Sequence, residues 1–557
     1  MKILLVAVNA KYIHSNLALR QLKKYAEAHL ESLPEIEIIE YTINNYQEDI
    51  LSGIYERHPD VLMFSCYIWN WGIVKSLIAD IGKVLPEVPV FLGGPEVSYD
   101  AENVLAELPQ VAGVMIGEGE QTFCELVKHL EDRSDYSKTA GLYIRSEAFT
   151  PREMMPMDEV PFVYSDSDLK DLENRIIYYE SSRGCPFACS YCLSARTGPV
   201  RFRSVEKVFK EMQFFLDHRV MQVKFVDRTF NADRQRAIQI WNYIKEHDNG
   251  VTNFHFEIEG DILSDKELDA LEGMRPGLLQ MEIGVQSTNP DTIREINRVM
   301  DFERLKRITR RVSEMKNIHQ HLDLIAGLPM EDMESFQKSF NDVYSLNPDQ
   351  LQLGFLKVLK GSPLSYKTKE YDLKYTSRPP YEVLETKWMS FKDILELKKI
   401  ERMVELYYNS RQFTYTLRQL VKEFDAPFDM FAEIAAFYED NGYMVSSPSR
   451  LHRYDVLLDF IGQKCPEKTE LFRELLTFDL YLRENVKSRP AFAPDIKEYA
   501  AKLRLQSRDK ENHLDVFWYS VWAEDPVRLE TAHFVEYDYS HRDALNNNAS
   551  ISFFADK

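Results

Sequence analysis

Short apolar runs alternate with helical patterns through two long stretches of this chain, and that rhythm limits it to a few architectures. In the first 150 residues the runs fall at 2–8, 37–43, 61–67, 88–92 and 113–116, with helical periodicities such as 17–31 and 73–85 between them. A parallel strand covered on both faces reads as an unbroken apolar run, and βαβ alternation requires helices on both sides of the sheet. Residues 1–150 are therefore expected to form a doubly wound, Rossmann-like α/β domain. Such folds bind ligands beyond the carboxyl ends of their strands. Those ends are Val8-Asn9-Ala10-Lys11, Cys66 to Trp71, Gly93-Gly94-Pro95-Glu96 and Gly117-Glu118-Gly119-Glu120.

A proline-bearing stretch over 151–174 reads as a linker, after which the alternation resumes. Strands are expected at 175–182, 222–227, 253–259, 278–285, 320–326 and 350–358, with helices between them. Six βα units within 175–365 imply a partial (βα)6 TIM-like barrel, whose working mouth lies at the carboxyl ends of its strands. From 366 to 557 the pattern is mostly helical, with amphipathic periodicity over 380–440 and a strand-like piece at Ala532–Tyr537.

A chain of 557 residues is too long for one core and suggests roughly three domains. Its net charge of -21 argues against a broad nucleic-acid footprint, although a local basic groove is compatible with it. Of six cysteines, Cys66, Cys124 and Cys465 are scattered and three lie in one loop, which points to a reducing compartment. The apolar start Ile3–Val8 is too short for a signal peptide and reads as a first strand. No run approaches the roughly 20 apolar residues that cross a bilayer. A cytoplasmic protein with no membrane partner is expected, most simply a monomer.

The loop is Arg183-Gly184-Cys185-Pro186-Phe187-Ala188-Cys189-Ser190-Tyr191-Cys192. Each thiolate can ligate one iron, so Cys185, Cys189 and Cys192 would hold a [4Fe–4S] cluster and leave its fourth iron open. A structural zinc site would need a fourth ligand. Cys465 or a histidine could supply one, but the motifs at the later strand ends would then be unexplained.

A C-x3-C-x2-C loop after the first strand of a βα barrel resembles the radical SAM superfamily. Further resemblances follow at the strand ends: Val226-Asp227-Arg228-Thr229-Phe230-Asn231, Glu257-Ile258-Glu259, Glu282 to Ser287 followed by Asn297-Arg298, and Asp323 to Pro329. The resemblance covers about 175–365. It implies that S-adenosylmethionine (SAM) chelates the open iron and is cleaved to a 5′-deoxyadenosyl radical. It also implies an external one-electron donor of the flavodoxin or ferredoxin kind. Tyr191 would lie beside the adenine. Asp227, Glu257, Glu259, Gln286 and Arg298 would contact SAM. Glu257 and Glu259 share one strand face.

A doubly wound domain ahead of such a barrel resembles the cobalamin-binding branch of that superfamily. The resemblance assigns Asn9, Tyr67, Trp69, Gly93, Gly94, Pro95, Glu96, Gly117 and Glu118 to cobalamin contacts. The Asp-x-His-x-x-Gly loop of many cobalamin carriers is absent, so cobalt would lack a histidine from that loop; His14 reads as structural. Trp71 reads as core or as a cover for the corrin. Residues 366–557 resemble the uncharacterised domain that trails some of these proteins. The implied reaction is methylation of an unactivated carbon of a small metabolite, a peptide or a tRNA nucleoside. The alternative is a rearrangement, cyclisation or reduction with the same cofactors. A non-catalytic cobalamin or SAM sensor, and an enzyme with a vestigial N-terminal domain, are the remaining readings.

Overall fold

A computed structural model describes residues 1–499, 503 and 512–555. The N-terminal sheet contains β1 (Lys2–Asn9), β2 (Glu35–Thr42), β3 (Val61–Ser65), β4 (Val90–Gly93), β5 (Val111–Met115) and β6 (Leu142–Tyr143). Its order is β2-β1-β3-β4-β5-β6, parallel except for β6. Successive residues of β1 explain its unbroken apolar run. Leu4, Val6 and Val8 enter one helix-covered core, while Ile3, Leu5 and Ala7 enter the other. The strand order reverses at β1 and β3, so their carboxyl ends open the crevice where ligands of such sheets bind.

Residues 151–174 form a packed strap. Met155, Met157 and Val160 are buried with Tyr25 of the N-terminal unit, and Val163 and Tyr164 are buried in the barrel core.

The second sheet holds β7 (Ile177–Tyr179), β10 (Gln222–Phe225), β11 (Asn253–Ile258), β12 (Leu279–Gln286), β13 (Ile318–Ala326) and β14 (Gln350–Phe355), between which β8 (Ser182–Arg183) and β9 (Arg201–Phe202) form a separate hairpin. The order β14-β13-β12-β11-β10-β7 is parallel throughout, and its two edge strands are not paired with each other. It is an open six-stranded barrel. Along β12, Leu279, Met281, Ile283 and Val285 are buried against helices, while Gln280, Glu282, Gly284 and Gln286 face the lumen.

The C-terminal region is helical from Phe391 to Arg483 and ends in an antiparallel meander of β17 (His513–Tyr519), β18 (Arg528–Arg542) and β19 (Ala549–Ala555), counting the short hairpin β15 (Lys374–Tyr375) and β16 (Val383–Glu385) before it. Its core is continuous with the barrel: Phe340 packs edge-on against Phe428 and Phe431.

Candidate active site

The cysteine loop is carried on the β8–β9 hairpin, directly after β7. Gly184 has φ +100°, and a Cβ there would lie 2.6 Å from Pro199 O, so the turn that opens the loop requires glycine. The loop is pinned from outside. Ser190 N donates to Ile296 O at 2.8 Å, Asn297 Nδ2 to Ala188 O at 2.9 Å, and Leu364 N to Ser190 O at 2.8 Å. All three cysteines are free thiols; Cys189 is buried, and Cys185 and Cys192 are half-buried. Burial raises the Cys189 thiol, and the Arg298 guanidinium, 3.9 Å from its Sγ, opposes that rise.

Arg298 is the hub of the mouth. One of its terminal nitrogens contacts both Glu259 oxygens at 2.8 Å and Gly284 O at 2.5 Å. Burial alone would lower this guanidinium, but the Glu259 carboxylate holds it above its ordinary value. Gln286 sits at φ +70° on a β-bulge, and its buried Oε1 has no partner among the described residues. Arg298 Nε and Asp261 Oδ1 are likewise buried without partners. Unsatisfied donors and acceptors beside a trio of free thiols fit a polar ligand carrying amino and carboxylate groups next to an iron–sulfur cluster. Tyr191 is largely buried against the barrel core, and burial raises its phenol. Glu257 is pushed up to about 7, by burial first and by Glu282 and Asp323, against Arg228 and Lys224.

Asp227 occupies a different place from the one its motif implies. It is fully buried beneath the mouth and accepts from Ser181 N, Ser181 Oγ and Ser182 Oγ at 2.9, 2.6 and 2.6 Å. Both oxygens are spent on the root of the cysteine loop, so Asp227 anchors the loop rather than facing a ligand.

Above the mouth stand the loops of the N-terminal sheet. Gly93 has room for an approaching ligand, since a Cβ would meet only Met115 at 3.8 Å. Gly94 has φ +107°, and a Cβ would lie 2.4 Å from Cys66 O. Pro95 opens the short turn of helix Pro95–Ser98. Gly117 is exposed at φ +85°. Trp69 is 43% exposed, stacks on Tyr67 at 4.4 Å, and donates from Nε1 to Val8 O at 3.2 Å. Gly93, Gly117, Tyr67 and Trp69 thus offer an open, aromatic-floored crevice that fits a large planar ligand.

Three residues assigned to that crevice have other partners. Asn9 is buried and donates to His14 O and Glu40 Oε2. Glu96 is buried and accepts from Tyr381 OH at 2.5 Å, with Lys360 at 3.4 Å. Glu118 pairs with Arg183 and Arg201. With Glu120, which also pairs with Arg183, it bolts the cysteine loop to the N-terminal unit, and Glu180 at the root of the loop joins Arg183 to Gln21 of that unit. His14 bonds Tyr178 OH at 2.6 Å, Trp71 is core, and burial raises the Cys66 thiol.

The lumen holds a set of groups that motif reading passes over: Lys224 on β10, His255 on β11 and His321 on β13. Lys224 and His255 reach Glu282 Oε2 at 3.0 and 2.9 Å. The signal is present in the sequence as period-two runs, His255-x-Glu257-x-Glu259 and His319-x-His321-x-Asp323, which put polar groups on the inner face of each strand.

Comparison with known proteins places this geometry. The model of the B12 binding domain matches residues 3–127, that of the radical SAM superfamily 179–343, and that of a protein of unknown function, DUF4080, 369–543. The 2-(S-pantetheinyl)-carbapenam-3-carboxylate methyltransferase of Streptantibioticus cattleyicolor is 25% identical over 82% of this chain and 70% of its own length. The cobalamin-dependent radical SAM methyltransferase TokK of Streptomyces tokunonensis is 27% identical over 60% of this chain, and the match spans about half of TokK (52%). Among solved structures, the cobalamin-dependent radical enzyme OxsB with aqua-cobalamin bound shares the fold at TM-score 0.58 and 16% identity, covering 86% of this chain and 79% of that one. The methyltransferase TsrM of Kitasatospora setae with cobalamin and a [4Fe–4S] cluster shares it at TM-score 0.56 and 16% identity, covering 68% and 78%. In order along the chain, then, stand a match to the B12 binding domain, a match to the radical SAM superfamily and a DUF4080 region, and the relatives similar to the chain include cobalamin-dependent radical SAM methyltransferases.

Proposed function

We propose that this protein is a cobalamin-dependent radical SAM enzyme that methylates an unactivated carbon. The observation that carries the reading is the shared mouth. Free Cys185, Cys189 and Cys192, with the unpartnered Gln286 Oε1 and Arg298 Nε close by, are tied by Arg183 to the Gly117–Glu120 loop of the B12 binding domain. When bound, the cluster, SAM and cobalamin supply one-electron cleavage of SAM, a carbon-centred radical and a methyl carrier.

The chain's own residues bind and orient. Cys185, Cys189 and Cys192 hold iron. Gln286 Oε1, which lacks a partner, would accept a hydrogen bond from SAM, and Arg298, already beside Cys189, would lend positive charge to the SAM carboxylate. Glu257 lines the lumen and, with its proton loosely held near neutral pH, can accept or release one at the substrate. Gly93 and Gly117 let the corrin approach the backbone, and Trp69 offers its ring.

Methyl transfer is favoured because the two relatives named above are methyltransferases. A ring-forming reaction is the second reading. An anaerobic magnesium-protoporphyrin IX monomethyl ester cyclase of Rubrivivax gelatinosus is 23% identical over 57% of this chain. The substrate is a small molecule, a peptide or a tRNA nucleoside; the electron donor is external; the enzyme works as a cytoplasmic monomer. Among the described residues no helix is long and apolar enough to cross a membrane.

Anaerobic incubation of cluster-loaded protein with SAM and a strong reductant is expected to yield 5′-deoxyadenosine, and none forming would refute the enzyme reading. Profiling metabolites and tRNA nucleosides of a deletion strain then separates the two reactions. A missing species with one extra methyl supports methylation, and one differing only in hydrogen or oxygen count supports the second reading.

A further inference from the structure

Below the mouth, β12 and β13 bring Glu282, His321 and Asp323 together, with one ligand atom of each within 4.8 Å of the others. Glu282 and His321 are register partners on neighbouring strands, and Asp323 follows His321 on the same face. His321 is 6% exposed, and its Nε2 makes no hydrogen bond among the described residues. Asp323 Oδ1 lies 3.0 Å from that nitrogen, within ion-pairing distance, but neither atom makes a hydrogen bond among the described residues, because the two are not aligned donor to acceptor. They stand side by side. Two ligands about 2.1 Å from one ion and roughly a right angle apart are separated by about 3.0 Å.

The third group is oriented in a way that matches. Lys224 and His255 both bind Glu282 Oε2 and so fix the carboxylate. Among the described residues, none donates a hydrogen bond to Oε1. Metal-ligating carboxylates are held by outer partners in this manner.

We propose that Glu282, His321 and Asp323 form a divalent-cation site in the barrel lumen, separate from the cysteine loop. One imidazole and two carboxylates suit a first-row ion between Mn(II) and Zn(II). Three protein ligands leave at least one position open, and the lumen is where a substrate oxygen or nitrogen would take it. The inference rests on barrel geometry alone, so it stands or falls separately from the radical reading.

The test is titration of full-length, cluster-loaded protein with Mn(II), counting free ion by electron paramagnetic resonance. Mn(II) is hard and leaves thiolates alone. One ion per chain is expected, displaced by Zn(II). His321→Ala and Asp323→Asn are each expected to weaken binding by at least about tenfold, with iron content and Tm unchanged. Asp323→Asn keeps the side-chain volume and carries the test should His321→Ala fail to fold. A wild-type protein that binds neither ion below about 1 mM, or site variants that bind as wild type does, would overturn the proposal.

Discussion

Gly94 carries a backbone that other residues adopt only under strain, at φ +107°, and its missing Cβ is what lets it pass Cys66 O. Gly94→Ala is expected to cost about 1–3 kcal/mol locally and to distort the crevice. Corrinoid absorbance per chain should fall at least about tenfold while reconstituted iron stays near the wild-type value. Glu331 gives a pH prediction. It is fully buried, accepts from Ser287 and Ser339 through one oxygen, and has its other oxygen unpaired. Burial pushes it up to about 7. In the folded chain it keeps a proton that the unfolded chain has already lost. Its stabilising contribution is therefore complete below the ordinary carboxylate range and is lost as pH rises towards 7. Glu331→Gln should leave Tm unchanged near pH 4 and raise it by about 2–4 °C at pH 8. At this scale the sequence singles out the cysteines and glycines, whose chemistry admits few substitutes. It does not show which partners Asp227, Glu96 and Glu118 have. A carboxylate at a strand end looks the same whether it faces a ligand or a neighbouring arginine, serine or tyrosine, and only tertiary contacts tell which.

The strands and helices of both α/β units were legible because each buries two faces or one stripe, and the periodicity records that. The lumen of the barrel was less so. Its polar ladder lies on one face of strands whose other face is core, and motif reading fixed on the strand ends instead. The hairpin of the cysteine loop was hidden as well, since β8 and β9 have two residues each. Its root depends on Asp227. Asp227→Asn cannot accept from the serine donors with both side-chain atoms, and it loses about 1–3 kcal/mol of hydrogen bonding at the base of the loop. Reconstituted iron per chain is expected to fall by half or more while corrinoid binding is kept. Equal loss of both would show that the residue supports the whole fold rather than the loop.

At the scale of the molecule, helical periodicity marks a C-terminal region of mostly helices without its connections. The structure shows that this region shares the barrel core and reaches the N-terminal crevice. Tyr381 OH bonds Glu96 directly behind Gly94-Pro95, and beside it Lys360, from the end of the barrel, binds Asp100 at 2.8 Å. Tyr381→Phe should leave Glu96 buried with a single weak partner, at a cost of about 1–2 kcal/mol. Amide exchange over 93–100 is expected to quicken by about tenfold, with the barrel strands unaffected.

The Glu96–Tyr381 bond also sets a rule for recombination among relatives. A chimera cut in the neighbourhood of residue 369, where the DUF4080 match begins, would pair one parent's crevice with another parent's tyrosine segment. Crossovers that transfer 93–100 and 356–385 together should retain both halves of that contact. The unit of exchange is thus discontinuous along the chain, and shuffling libraries built on three successive blocks would lose folded members at that joint first.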